Sequence, residues 1–254
     1  MLIDTHCHLD APELAQGGQD CLADARRAGV ARLLVPAVEA ASFQAVADLA
    51  ARAPDVRPAW GIHPLYVGRA RAEDLTHLRA RLQHGAPVAV GEIGLDGFVT
   101  EPALEAQLPW FEAQLRLARE LDLPVILHVR RAQDQVLKYL RRIRVRGGIA
   151  HAFNGSRQQA EAFIGLGFKL GFGGAMTYSG SRRIRELAAT LPLDALVLET
   201  DAPDIPPAWR AGQVNTPDQL PRMAAVLAEL RGLPVEDVIA ATGRNAQEAV
   251  PGLR

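Results

Sequence analysis

Eight short apolar runs, each followed by a longer stretch of helical period, recur along this chain. That alternation restricts the fold more than any other feature. The runs are Leu2 to Asp4, Arg32 to Pro36, Val56 to Trp60, Pro87 to Val90, Pro124 to Leu127, Gly148 to Ala150, Phe168 to Gly171 and Leu196 to Leu198. Runs of this length, bounded by Gly, Pro and Asp, read as buried strands, and helical segments between them imply parallel pairing. Asp20 is placed to cap a helix that Gly29 closes. Leu75, Leu78 and Leu82 form one apolar stripe ending at Gly85-Ala86-Pro87, and Phe111, Leu115, Ala118 and then Val136, Leu140, Ile143 form two more. Pro109 is expected to set the start of its helix. Ser156 with Gln159, and Thr216-Pro217 with Gln219, read as capping boxes. Pro217 to Val250 reads as two helices, one more than a minimal barrel needs. Eight β-then-α units predict an α/β fold closed as a (β/α)8 TIM barrel, filling residues 1–254 as one domain.

Such barrels assemble chemistry at the C-terminal ends of their strands, so the residues just after each run matter most. His6 and His8 follow the first run, and Gly61-Ile62-His63-Pro64 the third. Gly91-Glu92-Ile93-Gly94-Leu95-Asp96 follows the fourth, His128 the fifth, His151 the sixth and Glu199-Thr200-Asp201 the eighth. In extended backbone His6 and His8 point the same way and Cys7 the other. Of the seven histidines only His77 and His84 fall elsewhere, on polar helix positions, and these read as solvated. Any one of the others alone could be a hydrogen-bonded ring. Four imidazoles and two carboxylates converging on one mouth would be a costly polar cluster unless cations compensate it. Six ligands exceed one tetrahedral ion and fit two. The expected arrangement puts His6, His8 and Asp201 on one ion, His128 and His151 on the other, and Glu92 between them. Two divalent ions so placed would activate a water as nucleophile. The donor set leaves zinc, manganese and magnesium open, although four imidazoles argue against an all-magnesium site. His63 is surplus to these ligands and is assigned as a donor to substrate or a proton shuttle, or as support for a ligand. Asp201 is expected to double as proton acceptor.

His6-Cys7-His8, Gly61-Ile62-His63-Pro64, Gly91 to Asp96, His128, His151-Ala152-Phe153-Asn154-Gly155-Ser156 and Glu199-Thr200-Asp201-Ala202-Pro203 stand in an order that resembles the TatD-type metal-dependent deoxyribonucleases. The match spans nearly the whole chain. Asp204 and Asn215-Thr216-Pro217 resemble the branch labelled YjjV-like. The resemblance implies an amidohydrolase-type barrel and a metal-dependent hydrolase, with several members acting as 3′-to-5′ exonucleases on DNA and some on RNA. Glu92, Asp201 and His63 are the expected catalytic residues, and His63, Arg130 and Asn154 the expected substrate contacts. Two departures stand out. The loop Gly97-Phe98-Val99-Thr100-Glu101-Pro102 replaces the usual aromatics and polar residues, and is expected to lie over the active site, where it bears on substrate preference. Ala152 replaces a cysteine, a packing change that spares the ligands.

Charge narrows the partners. The net charge of −1 gives no global field to draw in a polyanion, so nucleic acid needs a local patch or the metals themselves. The run from Arg130 to Arg146 carries seven cations against Asp134. The helix after the fifth strand leads away from the mouth, so only Arg130 and Arg131 are placed to meet a phosphate, and the rest reads as a solvated face. Single-stranded DNA is the expected substrate, with no membrane and no obligate protein partner. Competing readings are a hydrolase of a small ester, lactone or amide, and a binding module that keeps metal only for its fold. Two cysteines without a Cys-x-x-Cys, no apolar run of about 18 residues and no leader ahead of Met1-Leu2-Ile3-Asp4 predict a soluble cytoplasmic protein.

Overall fold

In the computed structural model, which describes residues 1–15 and 20–254, eight parallel strands lie side by side in chain order. They are β1 (Leu2–Asp4), β2 (Val30–Pro36), β3 (Val56–Trp60), β4 (Ala89–Asp96), β5 (Val125–Arg130), β6 (Gly148–Ala150), β7 (Phe168–Phe172) and β8 (Leu196–Leu198). Helices α1 (Pro12–Ala15) and α2 (Cys21–Arg27) follow β1, α3 (Phe43–Arg52) follows β2, and α4 (Ala72–His84) follows β3. Next come α5 (Leu104–Glu120), α6 (Gln133–Arg142), α7 (Arg157–Gly165) and α8 (Arg182–Thr190), one after each of β4 to β7. After β8 the chain adds α9 (Leu220–Arg231) and α10 (Val235–Ala249). The sheet curls until β8 meets β1. There the Thr5 N–H and hydroxyl both donate to the Leu198 carbonyl, at 3.1 and 3.0 Å. The architecture is the expected (β/α)8 barrel.

Two apolar layers build it. Ile3, Leu34, Ala59, Ala89, Ile126, Ile149 and Val197 point inward, one from each of seven strands, and Ala246, Ala249, Val250 and Leu253 plug the N-terminal end of the barrel beneath them. The opposite strand faces pack against the helices through a larger cluster that includes Leu33, Val35, Trp60, Val90, Phe111, Phe163 and Met223. Because the bottom of the barrel interior is filled with hydrocarbon among the described residues, its polar, water-accessible end is the C-terminal mouth. Among the described residues no helix is long and apolar enough to cross a membrane.

Several local readings hold. Asp20 caps α2 by accepting from the Ala23 N–H, Gly29 follows that helix at φ +90°, and Ser156 and Gln159 form a reciprocal capping box on α7. Three are corrected. β4 and β5 run past Val90 and Leu127, because the ladder is interrupted after Val90 and resumes from Ile93↔Leu127 to Asp96↔Arg130. Pro109 lies inside α5 rather than at its start. The first turn is anchored upstream by Gln107, whose buried amide bonds both the N–H and C=O of Asp96, which offsets the single helical bond that the proline removes. Thr216 and Gln219 form no capping box. Thr216 accepts from Arg210 and Gln219 from the Trp209 indole, so the chain enters α9 through a 3-10 turn, Pro217–Gln219.

Candidate metal centre

The residues after β1 carry His6 and His8 into the mouth with their Nε2 atoms 3.1 Å apart, while Cys7 turns outward and is fully buried in the larger apolar cluster. Asp201 follows β8, and its N–H donates to the His6 carbonyl at 2.9 Å, so the barrel seam itself registers the two sides. Asp201 adopts φ +59°, a left-handed conformation that Asp tolerates better than most residues and that is typical of a constrained functional position. Glu92 sits where the β4 ladder is interrupted, and its N–H donates across to the Ala37 carbonyl at 3.1 Å. Its carboxylate, 2% exposed, lies on the barrel axis among imidazoles from four strand ends.

The two oxygens of Glu92 face different partners. Oε2 is 3.1 Å from His6 Nε2 and 3.5 Å from His8 Nε2, and Asp201 Oδ1 completes that group at 3.5 and 3.7 Å from the same two nitrogens. Oε1 is 3.0 Å from His151 Nε2, 3.1 Å from His128 Nδ1 and 3.5 Å from His63 Nε2. His151 and His128 are 3.5 Å apart through those nitrogens. Donors around a tetrahedral zinc lie about 3.4 Å from one another, and around an octahedral ion about 3.0 Å, given bonds near 2.1 Å. Both groups therefore have the spacing of a cation's coordination shell, and the residue types are those that bind divalent ions. His77 and His84 lie exposed on α4, outside the donor clusters and the lining of this mouth.

Electrostatics point the same way. Burial works against a charged His151, yet Glu92 and Asp201 attract its proton more strongly and carry it up to about 10. His6 stacks on His151 at 3.9 Å, and burial together with that neighbour holds it well below the ordinary range. The cluster thus keeps a positive charge among its carboxylates despite the cost of burial. Cations between the donors would supply that charge and use every ring as a neutral lone pair. His63, unlike His151, is lowered. Burial pulls it down to about 4, so the ring is neutral, and its Nδ1 accepts the Leu65 N–H at 3.2 Å. The proton accordingly sits on Nε2, which makes His63 a donor toward the cleft.

Supporting residues escaped the sequence reading. Asp96 Oδ2 takes the His128 Nε2–H at 3.0 Å, which frees Nδ1 to face Glu92. Glu199, pushed by burial up to about 8, accepts the Ala152 N–H at 2.5 Å and lies 3.8 Å from His151 Nδ1. Fully buried Asp4 receives the Thr200 N–H and hydroxyl at 2.9 and 2.6 Å, and burial lifts it to about 7 against those bonds. On α5, Gln114 bonds the N–H and C=O of Ile62 just as Gln107 serves Asp96 two turns earlier, fixing the chain next to His63. Asp96 and Glu199 stand inside recognisable motifs, but nothing in their spacing marks them as partners of a ring.

The mouth opens into a cleft of about 1500 Å³. Arg130 and Arg131 line it and are exposed, whereas Arg141, Arg142, Arg144 and Arg146 lie on the outer surface, with Arg142 paired to Glu112 and Arg146 to Asp122. Asn154 also lines the cleft. Its Oδ1 accepts from Arg183 at 2.6 Å and its carbonyl from Gln133 at 2.8 Å, so it holds Arg183 at the rim.

The family model for TatD-related DNases matches residues 3–250. The chain is 43% identical over 246 residues to the Escherichia coli metal-dependent hydrolase YjjV, covering 96% of this chain and 95% of that one. It is 38% identical over 253 residues to a metal-dependent hydrolase of Haemophilus influenzae, covering 96% and 97%. The 3′-5′ ssDNA/RNA exonuclease TatD of Erwinia amylovora is 31% identical over 260 residues, covering 97% and 98%. The crystal structure of E. coli YjjV superposes with a TM-score of 0.94 at 42% identity over 98% of both chains. With eight strand ends, two donor groups and a model match over nearly its whole length, the chain belongs to the TatD-related DNase family of metal-dependent hydrolases.

Proposed function

We propose that this protein, acting as one catalytic domain over residues 1–254, hydrolyses phosphodiester bonds in single-stranded nucleic acid. The preferred substrate is DNA, degraded from the 3′ end, with RNA as a second one. The observation that carries the reading is the Glu92 carboxylate, whose Oε2 faces His6 and His8 while Oε1 faces His151, His128 and His63. We assign His6, His8 and Asp201 to one divalent ion, His128 and His151 to a second, and Glu92 to both, with zinc, manganese or magnesium as the metals. Ions held there supply Lewis acidity, lowering the pKa of a water and drawing charge from phosphoryl oxygens.

The chain's own groups do the rest. Glu92 fixes the separation of the two halves of the site. Asp201 presents Oδ1 to the His6 and His8 side, leaving Oδ2 to take the proton of the attacking water. His63 donates from Nε2 to a phosphate oxygen or returns the proton to the leaving group. Arg130 receives a flanking phosphate, and Asn154 acts on the backbone directly or through Arg183. A cleft of about 1500 Å³ exceeds what a small ester needs and suits a polymer. The Erwinia relative named as a single-strand exonuclease supports the same substrate.

The test is metal analysis coupled to turnover. Metal-depleted protein reloaded with zinc, manganese or magnesium is expected to degrade an end-labelled single-stranded oligonucleotide, and Glu92→Ala to lose metal and at least about 10³-fold of that activity together. Arg130→Ala is expected to weaken oligonucleotide binding and lower its salt slope by about one. Faster hydrolysis of simple esters than of any phosphodiester would overturn the substrate assignment. Full metal content with good activity in Glu92→Ala would overturn the bridging one.

A further inference from the structure

Among the described residues, five large apolar side chains are exposed, and three of them, Leu65, Phe98 and Val214, line the cleft. Phe98 is the largest of the three and is 47% exposed. It is not loosely placed. Its N–H donates to Asp96 Oδ1 at 2.8 Å, the Val99 N–H reaches the same oxygen at 3.3 Å, and the Gly97 N–H donates to the Arg130 carbonyl at 2.7 Å. Asp96 Oδ2 is the atom that orients His128. One carboxylate thus holds both a ring of the candidate metal centre and an aromatic side chain at its rim.

The guanidinium carbons of Arg130 and Arg131 lie 3.8 and 4.6 Å from the centroid of that same phenyl ring. Among the described residues neither arginine is within ion-pairing distance of a carboxylate, in contrast to Arg26, Arg69, Arg79 and Arg142, each of which is paired. Arg131 adopts φ +51°, a backbone conformation that costs a non-glycine residue about 1 kcal/mol. The chain accepts that strain where it brings two unneutralised cations over one aromatic ring. A phenyl ring that is 47% exposed at the cleft, with two unpaired guanidinium groups against it, joins an aromatic surface for a flat base to cations for the phosphates of one strand.

We propose that Phe98 determines specificity by stacking a nucleobase of the substrate next to the scissile phosphate, while Arg130 and Arg131, which it carries, reach the flanking phosphates. The assignment rests on the phosphodiesterase reading above, since it names which part of that substrate the 97–102 loop holds. It selects base-bearing strands over any phosphodiester lacking a planar ring.

The experiment compares two single-stranded oligonucleotides of equal length on the metal-loaded full-length protein, one with ordinary bases and one in which tetrahydrofuran abasic units replace them. Phe98→Ala is expected to lower kcat/KM on the base-bearing strand roughly tenfold, mostly through KM, with the loss confined to that strand, and Phe98→Trp to restore it. A second readout needs no turnover. In chelator, a strand carrying 2-aminopurine is expected to lose fluorescence on binding to the unsubstituted protein and to Phe98→Trp, and to keep it with Phe98→Ala. Equal losses on both strands, or equal quenching by Phe98→Ala, would overturn the stacking role and leave Phe98 a support for Asp96. Failure of the unsubstituted protein to cleave either strand with any of the three metals would instead overturn the phosphodiesterase reading.

Discussion

Gly94 offers the sharpest test of how the barrel builds the site. It lies on β4 directly opposite His128 on β5, at φ +157°. A Cβ at this position would stand 1.9 Å from the His128 carbonyl oxygen and 2.8 and 2.9 Å from its carbonyl carbon and nitrogen. All three obstacles are backbone, so no side chain can swing aside. To reach even 3.0 Å the two strands must part by about 1.1 Å, which strains the ladder from Ile93↔Leu127 to Asp96↔Arg130. Losing one or two ladder bonds costs about 1 kcal/mol each. Overpacking adds about 1–3 kcal/mol and the unfavourable φ about 1 kcal/mol, so Gly94→Ala is expected to lose about 3–6 kcal/mol of stability. The same shift enters the 3.1 Å contact between His128 and Glu92, and a displacement near 1 Å at a reacting site costs about 10²-fold in rate. Urea unfolding followed by circular dichroism gives the stability, and metal content after dialysis gives the occupancy. Gly165→Ala at the end of α7, where a Cβ meets nothing within 4 Å, is the control and should be neutral or slightly stabilising. A Gly94→Ala protein with the unsubstituted midpoint and full metal content would refute the claim that this close approach registers Glu92 against His128.

Other expectations follow from single contacts. Asp96→Ala removes the acceptor of His128 Nε2–H and should weaken metal binding about 10- to 100-fold by titration calorimetry on metal-depleted protein; unchanged affinity would show that the ring is oriented without it. Asp4→Ala orphans the buried N–H and hydroxyl of Thr200 and should cost about 2–5 kcal/mol in urea unfolding, and a loss below about 1 kcal/mol would mean that the β8–β1 seam holds by other bonds. Gln114→Ala strands both backbone groups of Ile62 and should cost about 2–4 kcal/mol, read by the same midpoint; a silent substitution would show that water or a neighbour takes over. Chelation should lower the melting temperature, because metal at 100 times its Kd contributes about 2.7 kcal/mol, and an unchanged Tm would count against ions resident in the folded state.

By itself the sequence determined that this chain is a barrel and which end of it carries chemistry. Strand and helix periods are local, and once eight βα units close with right-handed crossovers, every strand points its C-terminal end at one mouth. That rule placed His6, His8, His63, Glu92, His128, His151 and Asp201 together although they span nearly two hundred positions. Only the tertiary structure decided the partners that no local period encodes. β4 runs to Asp96 because β5 lies beside it, and Pro109 stays inside α5 because Gln107 finds the end of β4. Thr216 gives up its cap because Arg210 reaches its hydroxyl. His128 turns Nδ1 toward Glu92 only because Asp96, 32 residues away, accepts the hydrogen bond of its Nε2–H. The Phe98 ring meets Arg131 only because that residue turns through a left-handed conformation and folds back over it. A helical or strand period is fixed by neighbours three or two residues away, but a hydrogen bond or a stacked cation depends on a meeting in space, and that requires the whole barrel to close first.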